Sequence, residues 1–171
     1  MKRELEYWTN QLQGLPDEIE LVRDRKRQPS VKAEGGSFHF LIRPELHESL
    51  RALAKTHRAT LYMVLQAGFA ALATKLGAGE DIVVGSPIAG REKEESFDLI
   101  GMFINTVVMR TDTSGNPAFA ELLERVKETS IQAYEHQHIP LDQIVEQLNP
   151  PRMASRHPLF QIMFALQNTP Q

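Results

Sequence analysis

The sequence predicts an α/β fold, a two-layer sandwich of helices packed on a sheet. Two observations predict it. Apolar stripes at helical spacing alternate with short β-branched runs, around Ile82-Val83-Val84 and from Ile104 to Arg110. Pro44, Asn116-Pro117 and Pro140 stand where the helical stretches would begin, positions at which a missing amide donor does no harm. The expected order is helix, strand, helix, helix, strand, strand, helix, helix, strand, with no internal repeat.

Leu5, Trp8, Thr9 and Leu12 share one face of a first helix over residues 3–13, which Gly14-Leu15-Pro16 breaks. Residues 17–36 are polar, hold Pro29, Gly35 and Gly36, and read as an extended connector. The chain thus divides into 1–36, helix and connector, and 37–171, the layered unit. Ser37 to Ile42 alternates Phe38, Phe40 and Ile42 with Ser37, His39 and Leu41, which predicts a strand. From Pro44 a helix carries Leu46, Leu50, Leu53 and Ala54. Thr60 is the expected N-cap of the next, in which Leu61, Val64, Leu65, Phe69, Leu72 and Leu76 recur until Gly77. Tyr62, Met63, Ala67 and Ala70 on its other sides predict burial almost all round. Residues 81–87 and 104–110 read as central strands. Asn116-Pro117 should cap a helix bearing Phe119, Leu122, Leu123, Val126 and Ala133. Pro140 should open another with Leu141, Ile144, Val145 and Leu148, stopped by Asn149-Pro150-Pro151. The nearly all-apolar run from Pro158 to Leu166 predicts a strand buried on both faces.

Composition narrows the function classes. At 171 residues, 42% hydrophobic and 24% charged, the chain is composed like an ordinary globular domain. The net charge of −3 and dispersed basic residues, apart from Arg23, Arg25, Lys26 and Arg27, argue against nucleic acid. With no cysteine there are no disulfides, thiolate metal sites or cysteine nucleophiles, which suits the cytoplasm. Residues 1–6 have no apolar signal core, and no run approaches the ~20 apolar residues that span a bilayer, so no membrane partner is expected.

Candidate chemistry is sparse. His136 and His138 would point to different faces of a helix, so no metal site is expected, and His39, His47 and His57 read as surface or structural residues. Gly77-Ala78-Gly79-Glu80 lacks the Lys-Ser/Thr of a phosphate loop, and Ser86 lies in no nucleophile elbow. Two polar segments at strand ends stand out: Gly85-Ser86-Pro87-Ile88-Ala89-Gly90-Arg91, and Ile100-Gly101-Met102-Phe103-Ile104-Asn105-Thr106. Glycine allows close backbone approach and asparagine can both donate and accept near a substrate amide. An ordinary turn followed by a strand start explains the same residues.

Together these segments resemble the condensation domains of nonribosomal peptide synthetases. The resemblance is carried by Tyr7-Trp8 with Gly14-Leu15-Pro16, Leu21 to Arg27, Ala59 to Leu65, Asp81 to Arg91, and Ile100 to Thr106. It continues through His136-Gln137-His138-Ile139-Pro140 and Arg152 with Ser155-Arg156-His157-Pro158-Leu159-Phe160-Gln161. The closing sequence favours condensation over epimerisation. Leu141-Asp142 replaces the family's Phe-Glu, which keeps the apolar anchor. The family's His-His-x-x-x-Asp-Gly motif is not in this sequence, which has no adjacent histidines.

The resemblance implies a chloramphenicol acetyltransferase-like subdomain, the C-terminal half of a domain that forms peptide bonds in antibiotic and other secondary-metabolite synthesis. It implies no catalytic residue in this half. Ser86, Gly90, Arg91, Gly101, Phe103, Asn105 and Thr106 would form or support the active-site wall, with Arg91 facing the aspartate of the absent motif and left unpaired without it. His136, Pro140, Arg152, Ser155, Arg156, Pro158, Phe160 and Gln161 would be structural. No cofactor would bind directly, phosphopantetheine being carried by partner peptidyl carrier proteins. The other expected partners are the N-terminal half, a following adenylation domain, and further copies of the chain through an uncovered apolar face. A non-catalytic carrier-docking scaffold is the rival reading; a relative using small thioesters is a weaker one.

Overall fold

The computed structural model describes residues 2–19, 21–22, 35–91, 98–151, 153 and 156–167. Its elements are α1 (Lys2–Gln11), α2 (Pro44–Thr56), α3 (Leu61–Lys75), β1 (Asp81–Ile88), β2 (Asn105–Asp112), α4 (Phe119–Glu135) and α5 (Leu141–Leu148). Most of the expected connector, with its basic cluster, lies outside the described residues, as do Arg152 and Ser155.

Strands β1 and β2 pair antiparallel, with Gly85 opposite Val108, Ser86 opposite Val107 and Ile88 opposite Asn105. Val83, Val84, Val107, Val108 and Met109 are all 2% exposed or less, so both sheet faces are covered. Helices α3 and α4 cover the face bearing Thr111, whose hydroxyl accepts from the Gln66 amide of α3 at 3.4 Å. The other face receives Phe160, which lies against Gly85, and the end of α1, held through Arg110. Arg110 grips the Asp81 carboxylate with Nε and Nη2, at 3.0 and 2.8 Å, and gives Nη1 to the carbonyls of Gln11 and Gln13 at 2.8 and 2.9 Å. A guanidinium thereby caps the negative end of α1.

Local signals explain the helix ends. The Thr60 hydroxyl accepts the Met63 amide at 3.2 Å and starts α3. Gly77, at φ +86°, ends it, with Ala78 N–H bonded to the Ala73 carbonyl and Gly77 N–H to that of Thr74. Asn149 takes a left-handed conformation after α5.

Four expectations are corrected. Residues 37–42 form no strand among the described residues: Phe38 and Leu41 are 88% and 97% exposed, and alternation makes a strand only where a neighbouring strand pairs with it, which no described strand does here. On α3 the buried face is Met63, Val64, Gln66, Ala67, Ala70 and Ala73, while Leu72 and Leu76 point outward. The small residues let α3 approach the sheet and α4 closely, which the leucine stripe would prevent. Helix α4 starts two residues later than expected, since Asn116 sits at φ +50° and Ala118 is the N-cap, its amide bonded to Glu121 Oε2 at 2.9 Å. The closing run is not a full strand. It meets β1 by one parallel bridge, Gly85 with Met163, buries Leu159 and Phe160, and leaves Met163 exposed.

Candidate functional site

The two polar segments singled out in the sequence meet beyond the end of β1. Gly90, at φ +62°, packs so closely on the 101–105 segment that a Cβ would overlap the Phe103 carbonyl oxygen. Only glycine fits both the conformation and the space. Arg91 then lies over the Phe103 ring, its guanidinium carbon 4.1 Å from the centroid, and Nη2 donates to the carbonyls of Leu99 at 2.9 Å and Gly101 at 3.4 Å. The expectation of an unpaired Arg91 is therefore corrected: its donors fasten the loop that precedes β2.

Asn105 opens β2 and its side chain is committed to the chain itself. Nδ2 donates to the carbonyls of Gln137 at 2.9 Å and Ile139 at 2.8 Å, and Oδ1 accepts the Leu141 amide at 3.3 Å. One side chain thus pins the whole turn between α4 and α5. Thr106, opposite Pro87, is half-buried beside it.

The closing motif performs similar work on the other side. His136 caps α4; its Nδ1 pairs with Glu4 Oε2 at 2.8 Å, its ring stacks on Tyr7 at 4.0 Å, and its carbonyl accepts Trp8 Nε1–H at 2.9 Å. Pro140 immediately precedes α5. Arg156 pairs with Glu18 at 3.0 Å. Gln161 accepts the Ile19 amide at 3.0 Å and donates to the His157 carbonyl at 3.2 Å. Pro158 lines a cleft of about 270 Å³ beside α1, and Phe160 stacks on His157 at 4.1 Å. His157 Nδ1 accepts the Leu159 amide, and burial holds the imidazole below its ordinary value, against the opposing pull of Asp142.

Ser86 is 3% exposed and lines a cavity of about 510 Å³ with Thr60, Tyr62 and Tyr134, with His47 and Arg51 among its exposed wall residues. Burial pushes the Tyr62 phenol up to about 12, with Ser86 acting against it and Tyr134 with it, and burial raises Tyr134 as well. Sequence reasoning missed this cavity apart from Ser86, because Tyr62 and Tyr134 lie 72 positions apart and converge only where α3 packs on α4. Among the described residues no three His, Cys, Asp or Glu side chains converge as metal ligands would. No described helix is long and apolar enough to cross a membrane.

Comparison with known proteins places this architecture. A dimodular nonribosomal peptide synthase from Bacillus subtilis (strain 168) is 53% identical over 167 residues, covering 98% of this chain and 7% of that protein. The X-domain from teicoplanin biosynthesis superposes with a TM-score of 0.90 at 31% identity, over 97% of this chain and 36% of that one. A holo four-domain nonribosomal peptide synthetase bound to AMP and glycine gives 0.91 at 28% identity, over 97% and 13%. The chain thus spans a small part of the synthetases and about a third of the X-domain. The family model described as Condensation domain matches residues 1–171 in full, and the chain belongs to the condensation-domain family.

Proposed function

We propose that this chain is the C-terminal half of a domain that joins two carrier-bound acyl groups through an amide bond, and that it supplies walls and supports for that reaction, not its base. The observation that carries this reading is how the site residues are spent. Arg91 and Asn105 direct their donors to backbone carbonyls and hold two loops in place. In the intact domain the acceptor amine attacks the donor thioester, the C–S bond breaks, and the proton lost by the amine ends on the departing thiol. Preorganised hydrogen-bond donors stabilise the oxyanion between these events. The histidine motif that orients the amine belongs to the N-terminal half.

That half is the first partner. Phe38, Phe40 and Leu41, and Ile100, Met102 and Ile104, are at least 64% exposed, and the N-terminal half is what they are proposed to meet. Peptidyl carrier proteins would bring phosphopantetheine-linked substrates, with an adenylation domain supplying activated amino acids, in the cytoplasm. The test is condensation between loaded donor and acceptor carrier proteins, comparing this chain alone, with a separately expressed N-terminal half, and with that half lacking its histidines. Product only in the second mixture is expected. Turnover by this chain alone overturns the reading, and tight carrier binding with no turnover in any mixture favours a docking scaffold.

A further inference from the structure

Of the residues around the 510 Å³ cavity between α2, α3, α4 and the end of β1, only Ser86 has a site role above, and the cavity's chemistry is one-sided. Four hydroxyl-bearing side chains, Thr60, Tyr62, Ser86 and Tyr134, line it, with His47 and Arg51, and no carboxylate contributes to the wall. The Tyr62 hydroxyl is buried at the back of the wall, beside the Ser86 hydroxyl. Hydroxyls gathered on one wall beside a guanidinium suit a polar ligand group. Arg51 and His47 are exposed one helical turn apart on α2, which directs both toward the same side. Burial raises both phenols, which stay protonated at neutral pH.

We propose that this cavity recognises a carboxylate on the carrier-linked substrate, such as the side chain of an acidic aminoacyl residue. The size lies within the range of small-ligand pockets. A guanidinium is suited to a bidentate grip on a carboxylate, and hydroxyl donors can complete its acceptor sites. An ammonium would face two basic groups, and an aliphatic side chain would face a wall of hydroxyls and a guanidinium.

This inference rests on the condensation reading for its substrate, yet it is tested without turnover. Titrations of this chain with N-acetyl-glutamate methylamide, N-acetyl-glutamine methylamide, N-acetyl-leucine methylamide and pantetheine 4′-phosphate would be compared by calorimetry. The acidic probe is expected to bind at least tenfold tighter than the two neutral amides. Arg51→Gln should weaken it at least tenfold, with circular dichroism and thermal melts unchanged. Equal binding of the three amides, no binding, or insensitivity to Arg51→Gln overturns the proposal. Tighter binding of pantetheine 4′-phosphate, lost in the same variant, also overturns it by assigning the cavity to the carrier arm's phosphate. Failure here with turnover in the two-half mixture refutes the pocket alone; selective binding with no turnover refutes the condensation reading alone.

Discussion

Replacing Asn105 with alanine separates a structural post from a substrate contact. The side chain makes three hydrogen bonds to the α4–α5 turn, at 2.9, 2.8 and 3.3 Å, and the longest is the weakest. At a net ~0.5–1.5 kcal/mol each, with water replacing part of the loss at this half-buried position, removal should destabilise by about 2–3 kcal/mol. For a chain of this size that corresponds to roughly 5–10 °C in Tm. Asn105→Asp is the sharper variant. It keeps an acceptor for the Leu141 amide but sets a carboxylate against the Gln137 and Ile139 carbonyls. It should be less stable than the alanine variant at pH 7. Its folded-state carboxyl would be raised, so stability returns as acid protonates it and the O–H donates again. Urea unfolding at pH 7 and pH 5 measures both effects. A loss below about 0.5 kcal/mol for Asn105→Ala, or Asp matching wild type at pH 7, would refute the assignment of Asn105 to the turn.

Two further outcomes follow from close packing and from burial. Gly85→Ala places a Cβ inside the Phe160 ring at an ordinary strand conformation, so the expected loss of about 1–3 kcal/mol comes from overlap and should shrink in a Phe160→Leu background, as a double-mutant cycle would show. His157 is held below its ordinary value of 6.5, so below that pH the unfolded chain binds the proton more readily. Stability from this group is present above about 6.5 and falls as pH drops toward the lowered folded value, and unfolding midpoints at pH 7.5 and 5.5 should converge in His157→Gln. Equal pH dependence in that variant and wild type would remove His157 from the account.

The candidate site was legible in part. Gly90, Arg91, Phe103 and Asn105 stand out through the resemblance to the family, since on local chemistry alone an ordinary turn and strand start explain them. What they do was not legible, since Asn105 bonds to residues 32–36 positions away and Arg91 to carbonyls that any residue would provide. The polar cavity was invisible apart from Ser86, because no local pattern announces that two tyrosines from different helices will face one hydroxyl.

The sequence by itself determined what depends on neighbours along the chain. Thr60 and Gly77 bound α3, Pro140 and Asn149 bound α5, and the β-branched runs became β1 and β2, because capping and steric preferences act within a few residues. Only the tertiary structure decided which face of α3 is buried, whether residues 37–42 would pair, and how the closing run meets β1. Those outcomes turn on the close approach allowed by Ala67, Ala70 and Ala73, on whether another strand comes beside residues 37–42, and on the space that Gly85 leaves for Phe160. Each is settled between elements distant in sequence, where burial and shape override local preference.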